Sequence, residues 1–327
     1  MLASKENKAL SWKAILVLLL VVLILNTAML AVIHARYQDS YYAALADKIT
    51  LLKNSASPRL IFVGGSNVAF GVDSQTIQEE SGYQVVNMGL NGNLGMPFML
   101  AVVSPFLRAG DVVIIMPEYT LLLSQKYNIG PTFIQTLLAN PSLLQYVDST
   151  FEAKYIIDLF PYVYTQAIKS IWHDMATRDC LFCENDEQIY FRAAFNAYGD
   201  VTSHEKIHPT REISHISLRY NEQNPNISRA IEIIITFAKD AEAQGAHTLL
   251  LYPATPSPAD DATQKMLDYL AGRLHEELVT PLLGSPQDAW YSRALFFDTY
   301  YHLTPEGRTL NTERILQQIA PYIKTIQ

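Results

Sequence analysis

Five short runs, Leu60 to Val63, Gln84 to Asn87, Asp111 to Met116, Thr248 to Tyr252 and Ala294 to Phe297, are mostly apolar without the period-two alternation of a half-solvated strand. Strands of that kind are covered on both faces, which predicts a parallel sheet with helices above and below it. Helical spacing fills the gaps, over Tyr41 to Lys53, Ser74 to Glu80, Pro97 to Leu107, Ser228 to Gln244, Asp261 to Leu278 and Pro305 to Ile323. The reading is therefore an α/β fold, a three-layer α/β/α domain over residues 58–327. The strands fall into two groups, 60–116 and 248–297. Helical patterns run from Pro131 to Thr177, broken at Pro161, and a polar stretch follows to Asn226. Residues from about 120 to 245 read as a mostly helical insertion.

The N-terminus carries a second constraint. Ala14 to Ile33 is uncharged, with Asn26 and Thr27 its clearly polar members. It is about as long as the ~20 residues a bilayer core requires. Lys5, Lys8 and Lys13 precede it against a single Glu6, while Arg36 and Asp39 follow. That bias predicts a cytoplasmic tail (1–13), an uncleaved transmembrane anchor (14–33), a juxtamembrane helix or linker (34–57) and an exported domain. The expected location is thus the cytoplasmic (inner) membrane, single-pass, with the domain periplasmic or otherwise extracytoplasmic. A cleaved signal peptide is the alternative, but its apolar core usually runs only ~7–15 residues, and Ile33 is bulky for a cut after Ala35.

Cys180 and Cys183 form CLFC, read first as a local disulfide in an oxidising compartment. A redox site would need a strand-to-helix turn, and zinc would need two further ligands; no metal is expected. A net charge of −8 with no basic block argues against nucleic acid as a partner.

In open α/β sheets, sites form beyond the carboxyl ends of the strands. Three segments fall there: GGSN around Ser66, NMGLNGNLG (87–95) and FFDTYYHLTPEG (296–307). A serine hydroxyl is a weak nucleophile until a base takes its proton; His302 can be that base, oriented by Asp298. The acyl oxyanion then needs preorganised donors, for which the amides of Ser66 and Gly92 are placed. Asn67, Asn91, Asn93 and Glu118 are further candidates for the slot or the substrate. Each feature also has a plain structural reading: Ser66 as a helix cap, Asp298 with His302 as a surface pair, Gly89 and Gly92 as turn glycines. HEKIH (204–208) matches a zinc-protease pattern, but Pro209 disfavours the helix that pattern needs, so a satisfied loop pair is expected, with a substrate-facing role for His204 as the alternative. FNAYGD (195–200) could line the cleft. Nineteen tyrosines suit either sugar stacking or the core.

At these residues the chain resembles the SGNH/GDSL hydrolase superfamily. The blocks that carry the resemblance are Ser66 after the first strand, Asn87, Gly89 and Gly92 after the second, and Asp298, His302, Pro305 and Gly307 near the end. They cover about residues 58–116 and 246–325. The resemblance is greatest to the exported, membrane-anchored branch that acts in O-acetylation of surface polysaccharides such as alginate and in D-alanyl transfer to teichoic acid. It implies a flavodoxin-like sheet and a serine esterase or O-acyltransferase, acetyl being the first acyl group to consider, with no cofactor. It also implies a surface polysaccharide or acylated envelope glycan as substrate, and a membrane-bound O-acyltransferase as partner. Two positions depart from the pattern. The third block, Gly-x-Asn-Asp, is replaced by MPEYT (116–120), where Glu118 would not donate if ionised. Asp298 and His302 are separated by three residues rather than two. Both departures leave open a catalytically inactive scaffold that docks a membrane acyltransferase.

Overall fold

The structure is a computed structural model and describes residues 11–123, 130–147, 161–166, 168–169, 172, 189–207 and 213–326. Cys180, Cys183 and His208, and with them the expected disulfide, lie outside the described residues.

In chain order the described elements are α1 (Trp12–Tyr37), α2 (Ala44–Asn54), β1 (Arg59–Gly64), α3 (Ser66–Gly71), α4 (Ser74–Ser81), β2 (Gln84–Asn87), α5 (Met96–Val103), β3 (Val112–Met116), α6 (Tyr119–Leu123) and α7 (Pro131–Ala139). They continue as α8 (Pro225–Ala243), β4 (His247–Leu251), β5 (Thr255–Pro256), α9 (Asp261–Glu277), β6 (Leu282–Leu283), β7 (Trp290–Tyr291) and α10 (Pro305–Ile326). Five strands form one parallel sheet in the order β2-β1-β3-β4-β6, and β5 pairs with β7 apart from it.

Successive residues of the central strands serve different cores, as the pleat requires. Ile61, Val63, Val113, Ile115 and Leu250 pack with α2, α5, α8 and α9. Leu60, Phe62, Val112, Ile114 and Leu251 pack with α3, α4 and α10. Both faces are covered, which is why these strands read as unbroken apolar runs. Helix α8 lies within the stretch read as an insertion, yet Ile227, Ile231 and Ile234 belong to the sheet's core.

The expected last strand at Ala294 to Phe297 is corrected by the structure. The fifth strand of the sheet is Leu282–Leu283. Arg293–Leu295 is a 3₁₀ turn, and Phe296 meets Leu303 in an isolated antiparallel bridge. The reason is local: Phe297 N–H donates to the His302 carbonyl at 2.7 Å and Thr304 N–H to Leu295 at 2.9 Å. A loop that satisfies its own backbone needs no sheet neighbour, and Phe296 and Phe297 enter the core from it.

Helix α1 is long and apolar enough to cross a membrane, with a mean hydropathy of 3.0 over its most apolar window. Asn26 Nδ2 donates within the helix to Val22 at 2.7 Å and Thr27 Oγ1 to Leu23 at 2.9 Å, while Asn26 Oδ1 accepts from the Tyr164 hydroxyl. The carboxyl end of α1 docks on the rest of the protein. Ile33 and Tyr37 are buried with Ala139 and Val163, and Gln38 Nε2 donates to the Ala139 carbonyl at 2.7 Å.

Candidate active site

Ser66 stands at the carboxyl end of β1, where the chain turns directly into α3. Asn87 ties this turn down: its side-chain amide donates to the Val68 carbonyl at 3.0 Å and to Asp200 Oδ1 at 2.8 Å, while its Oδ1 accepts from Gly89 N–H at 2.9 Å. Gly89 is required by close approach, since a Cβ there would lie 2.6 Å from the Ala69 amide nitrogen. The FNAYGD segment thus has a structural role. Asp200 also accepts from the Ser74 amide at 2.9 Å, and buried Lys48 donates to the Asn87 carbonyl at 2.9 Å. Burial lowers the Lys48 ammonium to about 7.

The Asp–His pair arrives on the self-bonded loop between β7 and α10. Despite the longer spacing, His302 Nδ1 lies 2.7 Å from Asp298 Oδ1. With the Nδ1 proton directed at the carboxylate, Nε2 is left as the basic nitrogen. The Tyr190 hydroxyl donates to Asp298 Oδ2 and lies 3.1 Å from His302 Nδ1. Burial pushes the Asp298 carboxyl up, but the hydrogen bond and charge of His302, with Tyr190, hold it below its usual range. Phe70, one turn beyond Ser66, stacks on the imidazole with ring centroids 4.0 Å apart and planes 7° from parallel. Helix α3, which carries Ser66, and the histidine loop are thereby in direct contact.

Ser66, Asn91, Gly92, Asn93, Glu118 and His302 line one cleft of about 510 Å³, with Tyr37, Tyr41 and Tyr190 also on its wall. Tyr37 is the last residue of α1, so the cleft opens beside the end of that helix. Within it the Ser66 hydroxyl donates to Glu118 Oε1 at 3.3 Å, and no hydrogen bond joins it to His302 among the described contacts. Glu118 is only 7% exposed. Its carboxyl lies between Gly65 and Gly92, where a Cβ on either glycine would collide with it. Burial raises the Glu118 pKa; the His302 charge and the amides of Asn67 and Ser66 oppose that without cancelling it.

The structure thus brings Ser66, Gly92, Asn91, Asn93, Glu118 and His302 to one cleft, with Asp298 behind His302. Asn67 is different. It is buried, and its side-chain amide donates to the Met116 carbonyl at 2.9 Å, joining α3 to the end of β3, so its side chain does not face the cleft. Asn91 uses its side-chain oxygen to accept from Asn93 N–H at 2.9 Å, capping the turn that presents Gly92. His204 is fully buried; its Nε2 lies 3.0 Å from the Leu303 carbonyl, and its ring packs against Phe70 and Phe297. It braces the His302 loop. Among the described residues no group of three His, Cys, Asp or Glu is placed to hold a metal. Tyr190 and Phe70 were not legible as site supports; His204 was marked by HEKIH, but not as a buried brace of the His302 loop.

No protein-family model and no curated protein matches the chain. The fold and the cleft define an α/β protein with a parallel sheet and one apolar N-terminal helix, bearing a serine, a histidine–aspartate pair and a buried carboxyl at the carboxyl edge of the sheet.

Proposed function

We propose that the chain is an exported, single-pass inner-membrane protein whose SGNH-like, three-layer domain is a serine-dependent acyl-ester hydrolase or O-acyltransferase acting on a surface polysaccharide or envelope glycan. The observation that carries this reading is the 2.7 Å contact between His302 Nδ1 and Asp298 in the cleft that Ser66 lines. In the reaction the Ser66 hydroxyl turns from Glu118 toward His302 Nε2, gives up its proton and attacks the acyl carbon. His302 returns the proton to the departing oxygen, and water or a sugar hydroxyl then takes the acyl group by the reverse sequence. The lysines before the apolar stretch 14–33 support an exported domain, and tyrosines on the cleft wall suit a sugar ring.

One observation favours a second reading. The serine hydroxyl is bonded to a carboxyl and not to its base, as a non-catalytic scaffold docking a membrane acyltransferase would tolerate. A fluorophosphonate probe separates the two. The enzyme reading expects labelling of the wild-type chain, lost in Ser66→Ala and much reduced in His302→Ala. Wild-type protein that neither labels nor hydrolyses p-nitrophenyl acetate decides for the scaffold.

A further inference from the structure

We propose that Glu118 works as a carboxylic acid: protonated, its O–H donates to the acyl oxyanion beside the Ser66 amide, and deprotonated, its carboxylate fills the same slot and closes it. This inference rests on the serine-acyl reading above and specifies how that site is regulated.

The Glu118 carboxyl lies between Gly65 and Gly92, within hydrogen-bond reach of the Ser66 hydroxyl, and is shielded from water. An acyl carbon attacked by Ser66 must place its oxygen where the Ser66 amide points, which is where Glu118 already sits. Two negative charges cannot share one buried slot at a few ångströms, because their repulsion is poorly screened there. The oxyanion therefore requires the Glu118 carboxyl to draw back from the Ser66 amide and, staying beside it, to carry a proton. Burial from water favours the proton, against His302 and the Ser66 and Asn67 amides, which favour the carboxylate. The ionisable base facing it is His302; Tyr41, Tyr300 and Tyr301 face it as hydroxyls, and Asp298 lies behind the imidazole. His302 takes up a proton during attack, which compensates the oxyanion and not a second carboxylate. The raised pKa of Glu118 agrees with this direction.

The step balances without a further reactant. The Ser66 Oγ–carbon bond forms as the O–H proton moves to His302 Nε2, and the carbonyl π pair moves onto oxygen. That oxygen accepts hydrogen bonds from the Ser66 N–H and the Glu118 O–H. On collapse the pair returns, the bond to the leaving oxygen breaks, and His302 gives it the proton. Glu118 keeps its own proton throughout.

The test is the pH dependence of fluorophosphonate labelling and p-nitrophenyl acetate hydrolysis by the full-length chain in detergent, for wild type, Glu118→Gln and Glu118→Ala. Infrared difference spectra of wild type against Glu118→Gln accompany it. Wild type is expected to lose rate on the alkaline side. Glu118→Gln, a neutral donor of the same shape, is expected to lose that fall and exceed wild type severalfold there. Glu118→Ala is expected to be slower by about 100-fold, the effect of one lost oxyanion donor. The infrared spectra should show a carboxylic C=O band that titrates with the rate. A Glu118→Gln profile superimposable on wild type, or a Glu118→Ala rate equal to or above wild type, overturns the proposal and leaves the serine chemistry standing. A wild-type chain inert at every pH overturns both.

Discussion

At the amino ends of β1 and β3, Asp111 and Arg59 are both fully buried. Asp111 accepts from the Arg59 amide and Nε at 3.1 Å each, from Arg59 Nη2 at 2.5 Å and from the Arg108 amide at 2.9 Å. The guanidinium's remaining donors reach the Leu52 and Phe106 carbonyls. At the carboxyl ends of the same two strands, Glu118 is nearly as buried but faces a serine hydroxyl, two amides and an imidazole. The first carboxylate has a permanent cation and a full set of donors. The second has a hydroxyl and two amides but no permanent cation, and burial raises its pKa. A parallel sheet can hold buried carboxyls at both ends; the partners of the group, not its burial, separate the structural end from the candidate site.

Four substitutions test that contrast. Ser66→Ala should give the largest effect, a fall of roughly 10⁶ in acyl-transfer rate, with the urea midpoint unmoved. A large loss of stability instead would make Ser66 a structural cap. Asp111→Ala should do the opposite: it leaves Arg59 buried without its partner, which costs about 3–5 kcal/mol in denaturant unfolding, while labelling per folded molecule persists. Retained stability would mean water reaches that end of the sheet.

His204 should give the next effect. Burial, with the Arg308 charge, lowers its pKa from 6.5 to about 4. Unfolded chain takes up this proton near pH 6.5 and folded chain only near 4, so stability is full above 6.5 and falls between those values. The contribution is at most about 3 kcal/mol. His204→Gln should flatten the stability–pH curve in that window, read by thermal melts; an unaltered curve would place the acid sensitivity elsewhere. The smallest effect is expected from Tyr190→Phe. It removes one donor to Asp298 and should slow labelling about tenfold, the equivalent of a single hydrogen bond to a charged group, without moving the melting temperature. A larger loss would give the tyrosine a direct part in proton transfer.

The sheet was legible where strands are covered on both faces, because Leu60 to Val63 and Asp111 to Met116 admit little else. It was misread at Ala294 to Phe297. An apolar run of four residues fits a strand or a core-facing loop equally well, and the loop's bonds to His302 and Leu295 decide for the loop. Ser66, Gly92 and Glu118 could be nominated for a related reason: each follows a strand end, where side chains converge, whereas Asp298 and His302 were reached through a strand at Ala294 to Phe297 that is a loop in the structure. Their partners were not legible. Phe70 against His302 and Tyr190 against Asp298 are contacts across the fold that no local spacing encodes. Asn67 shows the limit from the other side, since one residue's difference in position sends its amide to Met116 and away from the cleft.

By itself the sequence determined the α/β class and the apolar helix at the N-terminus, and nominated Ser66, Asp298, His302 and Glu118 as candidates, because apolar periodicity and residue chemistry are local properties. Tertiary structure alone decided that the wider Asp298–His302 spacing still closes to a hydrogen bond, that Tyr37 at the end of the apolar helix borders the cleft, and that the Glu118 carboxyl occupies the slot between Gly65 and Gly92. Those are distances between chain segments far apart in sequence, and packing of the loops over the sheet sets them.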